Sequence, residues 1–244
     1  MPHAGYDFSG KCMAYLYDAI SKQEIETFII LGTNHTGLGS KISLSIDDFD
    51  TPFGLVETDI HFIEQIIQNK ENLDIKVDET PHKYEHSIEV QLPFIQVLFK
   101  EFKIVPILVR DLSLKNISKF SEIISKLTND KTFILSSSDF THYGAAYGFV
   151  PFKNNVKENL YKLDNADIDE ILKLNVKGFL DKASESVCGK FPVACCLEIC
   201  RKLNAVRGEK LCYYESGEIS QDWENAVGYA SIVFFNQKDR YKKK

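Results

Sequence analysis

No stretch of this chain reads as a membrane span. Its most apolar runs, TFIILG, IVPILV and ASIVFF, fall far short of the roughly 20 residues that a bilayer-crossing helix requires. No charged segment leading into an apolar one opens the chain, so no secretory signal is read there and the expected location is cytoplasmic. A basic surplus is also missing. Lysine plus arginine number 29 against 35 aspartate plus glutamate, a net charge of -6, whereas a phosphate-backbone binder presents a basic face or stripe. The one dense basic run, RYKKK at the C-terminus, reads as a solvated tail. Nucleic acid and membrane are therefore not expected partners.

Other signatures are absent too. Cys12, Cys188, Cys195, Cys196, Cys200 and Cys212 include no CxxC pair, which removes a zinc ribbon from consideration. In an intracellular chain they are expected to be reduced. Cys195, Cys196 and Cys200, crowded into CGKFPVACCLEIC, read as small buried hydrophobes. The SSSDF stretch lacks a G-x-S-x-G elbow, so its serines read as turn formers rather than nucleophiles. No repeat, low-complexity block or Pro/Gly/Ser linker divides the chain. Its 244 residues, 44% of them hydrophobic, suit one α/β domain spanning 1–244 with a substantial core.

What is present is an alternation of short β-branched runs with amphipathic stretches, the pattern of a layered α/β sheet. Strands are predicted at Thr27–Leu31, Ile42–Ser45, Ile104–Val109, Thr132–Ser136, Lys210–Glu215 and Gly228–Phe235. Helices are predicted at Ser9–Ser21, Thr58–Gln68, Ser87–Phe99 with a bend at Pro93, Lys115–Leu127, Asn154–Leu163, Ile168–Lys173 and Pro192–Leu203. Two strands run into histidine-bearing turns: FIILGTNHTG carries His35, and FILSSSDFTHYG carries Asp139 and His142. Ligand sites in open α/β sheets lie beyond the carboxyl ends of the strands, so these turns are candidates for one shared site.

The opening PHAGYDFSG adds His3 just before the first helix, giving three imidazoles from distant segments. Imidazole suits zinc, copper and iron, and also serves as acid or base near neutral pH. Asp139 is placed to orient a histidine or a metal-bound water. Cys188, in a turn before a helix, is placed where a helix N-terminus lowers a thiol's pKa and makes it a thiolate ligand or nucleophile. His61 lies at helical spacing in an amphipathic stretch and reads as structural, and His82, which follows Pro81, reads as a surface residue.

PHAGYDFSG, LGTNHTG, TPFG, EHSIEVQLPF, SSSDFTHYG and CGKFP, in that order, with a terminal GYASIVF strand, resemble the Memo-like family, component B of the AmmeMemoRadiSam system. The resemblance implies an α/β fold of helices packed around a central mixed sheet, similar to the class III extradiol ring-cleavage dioxygenases of LigB type. It implies His3, His35 and Cys188 as metal ligands, and His142 and Asp139 beside them as catalytic acid–base or supporting groups. His86, Glu89, Tyr6 and Tyr143 are expected to line the cleft. It also implies a strand segment upstream of PHAGY, without which His3 would be tethered on one side only.

A cysteine where the dioxygenases carry a carboxylate changes the chemistry, because a thiolate is softer and is itself oxidisable. The expected cofactor is a metal ion, iron or copper ahead of zinc. Two functions follow: a metal-dependent oxidoreductase, or a non-catalytic protein that holds a peptide or small molecule in the same cleft. Radical-SAM and AMMECR-type proteins are expected pathway partners by the same resemblance.

Overall fold

The structure, a computed structural model, describes residues 1–236; the RYKKK run lies outside the described residues. The chain opens with α1 (Tyr6–Ile20), β1 (Thr27–Thr33) and β2 (Ile42–Leu44), then a hairpin of β3 (Phe49–Thr51) and β4 (Gly54–Val56). Next come α2 (Ile60–Gln68), β5 (Ile75–Val77), α3 (Leu92–Leu98), β6 (Lys103–Val109) and α4 (Leu114–Leu127). The remainder is β7 (Thr132–Ser136), β8 (His142–Gly144), α5 (Val156–Leu172), α6 (Val176–Lys182), α7 (Lys190–Lys202), β9 (Arg207–Glu215), α8 (Gly217–Ser220) and β10 (Asn225–Phe235).

The main sheet has the order β5-β2-β6-β1-β7. β1 runs parallel to both β6 and β7, while β2 is antiparallel to β6, so the sheet is mixed, as the resemblance implied. β1 is apolar along its length because it is covered on both faces. Side chains alternate across a strand, and here the alternation sorts them into two cores. Ile29 and Leu31 pack with Phe62, Ile66, Phe120 and Ile124 from α2 and α4. Phe28 and Ile30 pack with Met13, Leu16 and Tyr17 of α1 and Leu92 and Ile95 of α3. β8, β10 and β9 form a separate antiparallel sheet. Among the described residues, no helix is long and apolar enough to cross a membrane.

Several elements differ from the sequence reading. Pro93 does not bend a helix over Ser87–Phe99; it sits in the first turn of α3, preceded by a short 3-10 turn at Glu89–Gln91, because proline's missing N–H costs nothing there. α5 is continuous where two helices were predicted. The polar DNAD stretch looks like a break, yet Asp164 and Asp167 are buried on the inner face of α5. α6, β3, β4, β5 and β8 are too short to leave a periodic signal. All six cysteines are free, and Cys195 is fully buried while Cys196 and Cys200 are half-buried.

Phe120 is inaccessible to solvent and Val97 is 67% exposed. Truncating Phe120 to alanine is expected to lower the unfolding free energy by about 3–5 kcal/mol. Val97→Ala should change it by less than about 0.5 kcal/mol. Urea denaturation monitored by circular dichroism measures both.

Candidate metal centre

Because β1 and β7 are parallel neighbours, the turns that follow them emerge at the same end of the sheet. His35 and Asp139 are thereby brought to one edge. His3 joins them from the segment before α1 and is 1% exposed. Its main-chain N–H donates to Asp139 Oδ1 at 2.7 Å, and its Nδ1 lies 3.0 Å from Ser137 Oγ. The neighbouring carbonyls are also engaged: Met1 accepts from the Ser138 N–H at 2.7 Å, and Pro2 from Gln91 Nε2 at 2.9 Å. The expectation of a one-sided tether is corrected. His3 is held on its N-terminal side by the segment that follows β7 and by Gln91, and on its C-terminal side the Ala4 carbonyl accepts from Ser9 Oγ.

His35 rides on a loop shaped from within. Asn34 Oδ1 accepts from Thr36 Oγ1 and the Gly37 N–H, and Gly37 and Gly39 adopt φ of 67° and 70°. Those left-handed values suit glycine, which has no Cβ to clash. The Arg110 guanidinium straps the loop by donating to the Gly37 and Gly39 carbonyls.

The histidine is then oriented by Glu85, whose Oε2 accepts the His35 N–H at 2.8 Å and whose Oε1 lies 2.9 Å from His35 Nδ1. Glu85 Oε1 also accepts the N–H groups of His86 and Ser87, each at 2.9 Å. Burial pushes the Glu85 pKa up. The bonds from the His35 ring, the His35 amide and the Ser87 amide outweigh it and bring the value down to about 2. An ionised Glu85 makes Nδ1 of His35 the protonated nitrogen and leaves Nε2 with its lone pair, the arrangement in which a carboxylate fixes a metal-ligating tautomer.

His86 completes the group. Its ring stacks on His35, with centroids 5.0 Å apart and planes at 13°, and meets His3 edge-on at 5.2 Å. One ring nitrogen from each of His3, His35 and His86 lies within 4.8 Å of the other two, so the trio can hold a metal ion. Burial, and then the neighbouring His35 and His86, lower the His3 pKa, with Asp139 opposing, to about 4. His3 is thus neutral, as a ligand must be.

The structure places Cys188 against the Nε2 edge of His3, with Sγ 3.3 Å from that nitrogen, where it also accepts the Asp139 N–H at 3.3 Å. Its expected low pKa is corrected. Burial, reinforced by the charge of Asp139, pushes the thiol up to about 12 despite hydrogen bonds from Asp139, Ser138 and Thr33. Asp139 Oδ2 lies 4.0 Å from His3 Nε2. His142 begins β8, where its Nδ1 faces the Phe140 and Ser186 carbonyls at 3.1 and 3.0 Å.

Tyr6 is half exposed, donates to the Val90 carbonyl, and lies near Glu89, whose charge, after burial, raises its pKa. Tyr143 does not line the cleft. It is buried, stacked on Phe152, with its hydroxyl spent on the Phe152 carbonyl. His82 is not a surface residue either, being half-buried with Nε2 3.1 Å from the Ser43 carbonyl. His61 is exposed on α2 beside Gln65, away from the cluster.

The motif order finds its counterpart in known proteins, since the Memo-like protein family profile matches residues 1–233. The chain belongs to the Memo-like family. The MEMO1 family protein of Methanosarcina barkeri is 38% identical over 239 residues, covering 95% of this chain and 84% of the relative. That of Nitrosopumilus maritimus is 37% identical over 241 residues (96% and 82%), and that of Pyrococcus abyssi 40% over 248 residues (95% and 84%). In fold, this Memo-like chain is similar to the uncharacterized protein JW3007 from Escherichia coli K12, with a TM-score of 0.55 at 8% identity over 88% of this chain and 91% of the other. That likeness concerns the fold alone, and it supports the layered α/β architecture expected from the motifs.

Among the residues that shape the candidate site of this Memo-like protein, sequence reasoning passed over Glu85, Ser137 and Gln91. A signal existed for Glu85, an acid at the head of EHSIEVQLPF that would be costly to bury without partners. Glu85→Ala is expected to destabilise the fold by about 1–3 kcal/mol, because it strands buried N–H donors. It should also abolish the Nδ1–H preference of His35 in 15N-resolved NMR. Because the Glu85 pKa is depressed from 4.5, its stabilisation is present above that value and disappears as pH falls toward about 2. The stability gap between wild type and Glu85→Gln, measured in urea, should narrow over that interval.

Proposed function

We propose that this Memo-like protein is a metal-binding enzyme of oxidoreductase or oxygenase-like type, with His3, His35 and His86 as nitrogen ligands and Cys188 as a further donor. The observation that carries the reading is the convergence of three imidazoles within 4.8 Å, with a thiol 3.3 Å from one of them. The donors fit a transition ion. Ser137 takes up Nδ1 of His3 and Glu85 takes up Nδ1 of His35, which leaves Nε2 of each for the ion. Nitrogen with one soft sulfur suits copper and iron as well as zinc, and the redox-active pair is favoured here. When bound, such an ion supplies Lewis acidity and one-electron chemistry at the head of the sheet.

The chain's own residues supply the rest. Asp139 steadies His3 through its main chain, and Cys188 keeps its proton near neutral pH unless a cation sits beside it. His142, with Nδ1 turned to two carbonyls, presents Nε2 as a base. Half-exposed Tyr6 and His86 make one wall of the approach reachable by a small molecule or the side chain of a peptide. That openness also supports a second reading, in which the same cleft binds such a ligand without turnover.

Metal analysis of anaerobically purified protein tests the proposal, with near-stoichiometric iron or copper expected. Cobalt(II) titration then assigns the donors. His35→Ala and His86→Ala should each weaken binding by more than about 100-fold. A sulfur-to-cobalt charge-transfer band, lost in Cys188→Ala, should mark the thiolate. Protein that takes up no iron, copper or cobalt after reconstitution would leave the ligand-binding reading.

A further inference from the structure

Away from the histidines, one cluster has more hydrogen-bond acceptors than hydrogens. Asp164, inaccessible on the inner face of α5, receives the Thr141 N–H on Oδ1 at 3.2 Å and the Tyr213 hydroxyl on Oδ2 at 2.9 Å. The same hydroxyl lies 3.0 Å from Oε1 of Glu215, which is 1% exposed. A tyrosine hydroxyl has one hydrogen to donate, so it serves one ionised carboxylate and not two. The second contact is a hydrogen bond only if a carboxyl group brings its own hydrogen. Two buried carboxylates around a single donor would carry a heavy desolvation cost.

We propose that Asp164, Tyr213 and Glu215 hold one extra proton in common and release it as a unit, forming a latch between α5 and β9 whose state reaches the segment carrying Asp139 and His142. The link to that segment is the Thr141 N–H on Asp164. The segment is otherwise tied to β10 by the Phe140 N–H to the Gly228 carbonyl and the Gly228 N–H to the Thr141 carbonyl.

The groups facing the pair support this assignment. Asp167 lies one turn along α5, and its charge, after burial, raises the Asp164 pKa to about 7 against the bonds from Thr141 and Tyr213. Burial likewise raises Glu215 to about 7. The Tyr213 bond and Lys157 oppose the shift and Glu218 adds to it. Lys157 is held by Glu218 at 3.2 Å, and Lys210, 5.8 Å above the Tyr213 ring, donates to Asn165. Both ammonium groups are thus engaged elsewhere than with the pair. Tyr213 is itself pushed above its ordinary range, by burial and then by both acids, so it does not supply the missing charge balance by ionising. Opposite Glu215 and Tyr213, β10 carries Gly228 and Ala230, neither titratable, and Asp164 Oδ2 fills the space a Cβ on Gly228 would take. A cleft of about 370 Å³ lined by Tyr161, Tyr213, Glu215, Glu218 and Lys157 gives the proton its path to solvent.

Both acids ionise in the unfolded chain near 3.8 and 4.5 and near 7 in the fold. The pair's contribution to stability is therefore full below the lower values and lost as pH rises through about 7. Carboxyl 13C NMR titration of the full chain tests the proposal. In wild type, at least one proton should remain on the pair at about pH 6, and the two signals should move together above it. Asp164→Asn keeps an oxygen for Thr141 but gives the tyrosine hydrogen to Glu215 alone, so the Glu215 midpoint should fall by about one pH unit or more. Exchange of the Thr141 amide, corrected for its intrinsic pH dependence, should accelerate across the wild-type transition. Full ionisation of both carboxyls at about pH 6, an unmoved Glu215 midpoint in the variant, or a flat Thr141 profile would overturn it. The wild-type measurements decide the matter even if the variant does not fold.

Discussion

When β1 pairs in parallel with β7, with Leu31 opposite Ser136, two chains leave the sheet side by side and in the same direction. One becomes the loop of His35; the other becomes Ser136 to Asp139, the segment that seats His3 and supports Cys188. A shift of register would turn each side chain of β1 to the opposite core. Two cores that differ in their partners, α7 with α2 and α4 on one face and α1 and α3 on the other, fix the strand in place. The position of the site is thus a by-product of how apolar surface is buried.

Local chemistry then converts position into orientation. The three imidazoles are held by different devices: a main-chain clasp for His3, a buried carboxylate for His35, and ring stacking with the adjacent Glu85 for His86. Glu85 is the busiest of these groups because it binds two of the three segments at once. It is also a residue whose charge survives burial only through the hydrogen bonds it receives, so site and fold share one requirement. The lone pair left on Nε2 of His35 is a result of that arrangement.

The sequence was legible where a signal is periodic or repeated across motifs. β1, β6 and β7 declare themselves as apolar runs, and the histidine turns after β1 and β7 mark the edge that carries the candidate site. Membership in the Memo-like family was readable from six short motifs in order. What escaped was decided by tertiary environment. The joining of α5 depends on acids facing inward, which no amphipathic count rewards. The proton on Cys188 depends on burial overcoming a helix end. The role of His86 as a third imidazole depends on a stacking partner 51 positions away in sequence, between His35 and His86. Tyr143 shows the converse, since residue type suggested a role that packing denied, and His82, read as a surface residue, is half-buried against the Ser43 carbonyl.

The glycine of GYASIVF has a meaning beyond strand flexibility. Gly228 stands where a methyl group would occupy the seat of the Asp164 carboxylate, so the two positions are one unit of inheritance. A lineage that replaced the acid with a smaller neutral residue would free the glycine to acquire a side chain. A lineage that first gained a side chain at 228 would have to abandon the acid. The two positions are therefore expected to drift together, and a descendant carrying both changes would have closed the gap with carbon and lost its reason to hold a proton there.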